Sequence, residues 1–352
     1  MKTSLLGLIM FAPLAVSAIA DTPKVTLKGF LDTYYGHSFN NSASDRRPAF
    51  LYNHTTTGEA AVNLALIQAD LDGGWYRASL GLMAGTYSQE NLAIEPDVLQ
   101  RIYEAYAGVA LNHTRTLWLD LGVFTSHIGF ESAISADNPT LSRSLMAENS
   151  PYYLAGGRLT WKPDEQWELA AFVLHGWQRI QPLDGNSLPG FGTKVAWKPH
   201  DGLTLNWSTY VGSEFPDDQR RMRYFNNLFA QVALTSSVSL FLGFDIGWQE
   251  RATAGHDTWW SPNMIVRWKL NDRWATAFRV EHYNDGAGAI VSLPNGTALT
   301  GFSFNLDRQI HQNILFRIEA RHLYNGTPAF QSGGSLVRND TSLLASLSFR
   351  FP

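Results

Sequence analysis

Apolar and polar side chains alternate with a period of two along most of the chain, the pattern of strands with two unlike faces. In the last segment Leu343, Ala345, Leu347, Phe349 and Phe351 share one face, while Ser342, Ser346, Ser348 and Arg350 share the other. Before it, Phe316, Ile318 and Ala320 interleave with Arg317, Glu319 and Arg321. Ile265, Arg267 and Lys269 interleave with Met264, Val266, Trp268 and Leu270, and Arg279 and Glu281 with Phe278 and Val280. A soluble sandwich alternates too, so the connections between strands carry the distinction.

The pattern predicts strands near 24–38, 60–72, 75–85, 102–111, 117–124, 152–162, 167–177, 190–198, 203–213, 222–235, 238–249, 258–270, 273–284, 297–307, 312–323 and 341–351. Short polar turns follow every second strand: Asp72-Gly73-Gly74, 112–116, 163–166, 199–202, Ser236-Ser237, Asn271-Asp272 and 308–311. The other connections are mostly longer, centred near 40–59, 86–101, 125–151, 178–189, 214–221, 250–257, 285–296 and 324–340. Seven short and eight long connections join sixteen strands, with both ends on the short-turn side. That asymmetry predicts an all-β fold, a transmembrane antiparallel β-barrel with short periplasmic turns and long external loops.

Tryptophan position supports the barrel. Trp75, Trp118, Trp161, Trp167, Trp197, Trp268 and Trp274 lie beside the short turns, where an amphipathic ring suits the headgroup region of a bilayer. Trp177, Trp248, Trp259 and Trp260 fall at the opposite strand ends. A soluble propeller also carries Trp at hairpin ends, but it should repeat a motif every 40–50 residues or so, and none is seen.

Composition sharpens this picture at three points. Of 352 residues 13% are aromatic and only 16% charged, below the roughly one quarter usual in soluble domains. There is no cysteine, which excludes disulfides and thiolate metal sites. The net charge of −4 offers no basic footprint for nucleic acid. Residues 1–20 read as a cleaved signal peptide: Lys2 is the basic region, Leu5 to Leu14 the apolar one, and Ala18-Ile19-Ala20 the cleavage site before Asp21. A membrane anchor is the other reading, but the apolar run is shorter than the roughly 20 residues a spanning helix needs. Residues 21–352 are then a single barrel domain, carrying 26 basic and 31 acidic groups once Lys2 is removed.

Within the predicted barrel, the stretch from Asp32 to about Gly156 carries specific residues. They are Asp32-Thr33-Tyr34-Tyr35, Tyr52-Asn53-His54, Asn63-Leu64 and the run Asp120-Leu121-Gly122-Val123-Phe124-Thr125-Ser126-His127-Ile128-Gly129-Phe130-Glu131. Asn138, Ser142-Arg143-Ser144 and Glu148-Asn149-Ser150-Pro151 follow. This stretch resembles the outer-membrane family of β-barrel porin-2, OmpL-like proteins. The resemblance implies a barrel and a pore, and it carries no residue roles with it.

The function expected is therefore an outer-membrane porin for passive diffusion of small hydrophilic solutes and ions. Its partners would be outer-membrane lipid and those solutes, with no nucleic acid and no cofactor; a homotrimer is one open arrangement, for which the sequence gives no sign of its own. A barrel hydrolase or a non-conducting structural barrel is the alternative, since a Ser, a His and an acid drawn from different strands need no local motif. Ten histidines show no helical metal spacing, and His54 and His127 read as scattered loop residues.

By parity the lumen wall holds Lys28, Arg77, Arg158, Lys162, Lys194, Lys198, Arg267, Lys269, Arg279, Arg317, Arg321 and Arg350. It also holds Asp32, Glu104, Asp120, Glu168, Asp245, Glu281, Asp307 and Glu319, a basic excess of four. The 125–151 connection, between the fifth and sixth strands, has the length to fold inward as a constriction. It carries Glu131, Asp137, Arg143 and Glu148, and Pro139 to Met146 suggests a short helix. Glu131 and Asp137 are expected across from the basic wall, although the loop could also merely cover the outer mouth. Acids facing bases across a lumen set a transverse field on passing ions.

Overall fold

The structure, a computed structural model, describes residues 22–40, 45–294 and 296–351. The expected signal peptide lies outside the described residues. The alternating segments become β1 (Lys24–Ser38), β2 (Ala60–Asp72), β3 (Tyr76–Ala84), β4 (Ile102–Ala110), β5 (Leu117–Thr125), β6 (Tyr153–Trp161), β7 (Trp167–Leu174) and β8 (Gly190–His200). They continue as β9 (Leu203–Ser213), β10 (Met222–Ala233), β11 (Val238–Glu250), β12 (His256–Lys269), β13 (Trp274–Asp285), β14 (Thr297–His311) and β15 (Ile314–Asn325). A small hairpin, β16 (Phe330–Ser332) and β17 (Ser335–Val337), precedes β18 (Asn339–Phe351).

Apart from that hairpin, every strand pairs antiparallel with its neighbours in sequence, and β18 returns to β1 to close a barrel of sixteen strands. The seam is long and regular, running from Gly29 opposite Phe351 to Ser38 opposite Ser342. Closure leaves no lateral edge, which is the condition for a sheet to exist in lipid.

The two faces are inverted relative to a soluble protein. Ile67, Leu121, Trp268 and Phe304 are more than half exposed on the outside, while Arg279 and Arg317 are fully buried on the inside. Charge indoors and large apolar side chains outdoors is stable only where the outer solvent is hydrocarbon.

Gly122 and Gly156 face each other across β5 and β6 with φ of 136° and 141°. A Cβ on either would lie 2.1 Å from a neighbouring carbonyl oxygen, so this bend of the wall, just below loop 125–151, requires glycine.

The structure corrects several sequence expectations. The turn expected at 308–311 lies at 312–313, because β14 and β15 keep pairing past Asp307 through a bulge between Gln309 and His311. Gln309 Nε2 bridges that bulge, donating to the carbonyls of His311 and Ile314. Strand β7 stops at Leu174, leaving Trp177 in the following connection. Trp177 and Trp259 turn inward rather than to lipid: Trp259 is buried, and both pack on Phe225.

Candidate functional site

Loop 125–151 lies inside the barrel. Every residue from Asn138 to Tyr152 is buried, and the loop touches walls that only a crossing of the lumen can reach. His127 stacks on Phe172 of β7 at 4.0 Å, and its Nε2 donates to the Thr209 carbonyl of β9 at 2.9 Å. The Gly129 amide donates to Asn227 Oδ1 on β10 at 3.0 Å. Phe130 packs against Phe229 and Phe241 on β10 and β11.

The loop then meets the wall formed by β12 to β15, which grips its backbone. Arg317 donates through Nη1 to the carbonyls of Ser135 at 2.7 Å and Thr140 at 3.1 Å, and through Nη2 to that of Asn138. Arg267 Nη1 donates to the Pro139 carbonyl at 2.8 Å. Arg279 Nη1 donates to the Ser142 carbonyl at 2.7 Å and to Thr140 Oγ1. In return the Ser142 amide donates to Glu319 at 2.5 Å, and the Leu145 amide to Glu281 at 2.6 Å.

The wall charges are themselves paired. Arg279 reaches Glu319, Arg321 reaches Glu281, and Asp307 takes both Arg267 and Arg317. Clasped in this way, residues 139–143 cannot coil. The helix expected at Pro139 to Met146 is instead one turn, α1 (Leu145–Glu148), capped by Ser144 Oγ accepting from the Ala147 amide.

The four loop residues differ in what they meet. Only Asp137 reaches a basic wall residue by hydrogen bond, pairing with Arg350 where both are half-exposed. Glu131 accepts from the amide and hydroxyl of Ser144 within its own loop. Arg143, fully buried, donates to the carbonyls of Ser132, Ala133 and Leu141, which holds the loop's own shape. Glu148 turns to the first long connection, accepting from the Tyr52 amide at 2.8 Å and Asn53 Nδ2 at 3.0 Å. Burial raises the carboxyls of Glu131 and Glu148 above the ordinary range.

The other wall residues lie nearer the short turns. Lys28 pairs with Asp70, Arg77 and Arg158 share the buried Asp120, and Lys194 pairs with Glu168. Lys269 pairs with Asp272 in the adjoining turn, away from the loop.

Sequence reasoning missed the first long connection. Residues 50–57 are also buried, apart from the half-buried Tyr52 and Thr56. His54, read as a scattered loop histidine, is fully buried, its Nε2 3.0 Å from Asp32 and its amide donating to Asn63 Oδ1. Its imidazole is pushed below its usual pKa by burial. His127 is buried as well, and burial lowers it to about 4. The signal available in the sequence was Tyr52-Asn53-His54, polar residues of which two now anchor one loop to the other and to the wall.

The profile of the family described as "Putative beta-barrel porin-2, OmpL-like" matches residues 24–351. No curated protein sequence matches the chain. Among solved structures it is similar to an anion-selective porin from Comamonas acidovorans, with a TM-score of 0.62 and 9% identity over 94% of this chain and 100% of that one. The trimer form of the outer membrane protein OmpT of Vibrio cholerae gives 0.62 at 10% identity, over 94% and 100%. The outer membrane channel DcaP of Acinetobacter baumannii gives 0.60 at 11% identity, over 93% and 97%. At such identities the likeness is one of fold.

Proposed function

Because the chain belongs to the β-barrel porin-2, OmpL-like family and is thus an outer-membrane porin, we propose that loop 125–151 is its constriction. The observation that carries this is the clasp of residues 135–145 by Arg267, Arg279, Arg317, Glu281 and Glu319. A loop fixed across a lumen sets the narrowest section and brings solutes within hydrogen-bonding distance of charged side chains. The section is close to electroneutral, since its arginines sit beside acids, so the selectivity expected is a weak anion preference from the basic excess of the wall.

The protein acts as a channel and not as an enzyme, and its export uses residues 1–20 as a cleaved signal. A homotrimer fits the outer surface of β2 to β7. There Ala65, Ala78, Ala105, Ala107, Gly157 and Ala171 lie between larger exposed apolar side chains such as Ile67 and Leu121, and β5, β6 and β7 have only 9, 9 and 8 residues. A wall this short and apolar is better covered by another protomer than by lipid. The test is planar-bilayer recording of the purified protein. Steady steps are expected, with larger ones after deletion of residues 132–143. Steps unchanged by the deletion would place the constriction elsewhere, and no steps at all would favour a non-conducting barrel.

A further inference from the structure

A cavity at the mouth carrying the long connections belongs to no part of the constriction. It measures about 570 Å³, within the range of small-molecule sites, and is bounded by residues 46–55 and 290–294 and by the small hairpin β16–β17. Most of its wall is apolar: Phe50, Leu51, Ile290, Val291, Leu293 and Phe330. Arg46 and Glu90, also on its wall, pair with each other.

Arg47 is different. It is 5% exposed, and its Nη1 donates to the Asn53 carbonyl at 3.3 Å. Its Nε and Nη2 have no hydrogen-bond partner. Those two N–H groups form one edge of the guanidinium, the edge that takes a carboxylate through two parallel hydrogen bonds. A buried cation with that edge unused is costly unless something fills it. Asp340 lines the same cavity, which makes a second negative charge on a ligand unfavourable.

We propose that this cavity captures small amphipathic monocarboxylates, the carboxylate on the Nε–Nη2 edge of Arg47 and the aliphatic or aryl body among Phe50, Val291, Leu293 and Phe330. Both atoms are covered in the structure, so binding requires the guanidinium to turn that edge toward the cavity. The site lies outside the constriction and acts before it, concentrating such solutes at the mouth. It rests on the pore reading only for their onward passage.

Binding is measured by calorimetry on the full folded chain in detergent, with phenylacetate, its neutral analogue phenylacetamide, and acetate. Phenylacetate should bind at least about tenfold more tightly than phenylacetamide, the ratio that loss of a charge-assisted pair gives, and acetate should bind weakly for want of a body. Arg47→Gln and Arg47→Lys should both lose that preference, Lys because it keeps the charge without the fork. Phe330→Ala should weaken phenylacetate and phenylacetamide alike. Equal binding of acid and amide by the unaltered protein, or an undiminished preference in Arg47→Lys, would overturn the proposal. The acid–amide comparison needs no variant to fold. A null result there with intact bilayer steps would sink the site and leave the pore standing.

Discussion

Arg279 spends its guanidinium on Glu281, Glu319, the Thr140 hydroxyl and the backbone and side chain of Ser142, so no donor nitrogen is idle. Arg279→Gln would leave the buried Glu319 without its arginine and Glu281 with Arg321 alone, a loss of about 3–5 kcal/mol by the usual cost of breaking such a pair. Chemical unfolding in vesicles would read it, and bilayer recording should show noisier, larger steps as the loop loosens. Asp137 offers the gentler experiment, since it and Arg350 are half-exposed. Asp137→Asn should free Arg350 and raise anion over cation permeability in a salt gradient. The effect should fade at high salt, where charges about 8–10 Å apart are screened. Glu131, bound to Ser144, is the wrong residue for that test, although the sequence made it an equal candidate.

His127 gives a pH dependence. Its ordinary pKa of 6.5 falls to about 4 in the folded chain, through burial and then the nearby Lys194 and Arg158, against the bond to Thr209. The unfolded chain therefore takes up a proton below 6.5 that the folded one refuses until about 4. Its contribution to stability is whole above 6.5, declines from there to about 4, and is then constant, a total of about 3 kcal/mol. His127→Gln should flatten that part of the stability–pH curve. An unchanged slope would mean the ring is solvated.

At the scale of elements, the barrel wall is a set of paired faces, and depth can be held fixed while the face is changed. Leu242 on β11 points outward opposite Ala230, and Gln231, next along β10, points inward. Leu242→Arg should cost about 2–4 kcal/mol if it sits near the bilayer midplane, and Gln231→Arg close to nothing, measured by equilibrium unfolding in lipid. Equal costs would mean that the faces are exchanged. This alternation is why the strands were legible in the sequence: a period of two is written locally, residue by residue, as in Arg317, Glu319 and Arg321 between Phe316, Ile318 and Ala320. The loops were not legible in that way. The extended run at 139–143 depends on Arg267, Arg279 and Arg317, which lie more than a hundred residues away, and the inward turn of Trp259 depends on Phe225 and Arg223. His54 looked like a surface residue because nothing in its neighbourhood of the sequence announces Asp32. Length and position suggested that loop 125–151 could enter the lumen; which of its atoms the wall would hold was a matter of tertiary contact.

For the whole molecule, the sheet is continuous through every neighbour in sequence except at one place, where β1 meets β18. Until residues 339–351 are in position, β1 and β15 each present a row of unpaired amides and carbonyls, and such rows seek partners on other chains. A chain lacking residues 339–352 should accordingly fail to give heat-resistant monomers in detergent and should appear as aggregates with strand content. Order of synthesis follows from the same seam. The strand that emerges first must wait, with one side open, for the one made after all the others. Whatever receives the nearly finished sheet must therefore cover its two open edges until the last strand arrives.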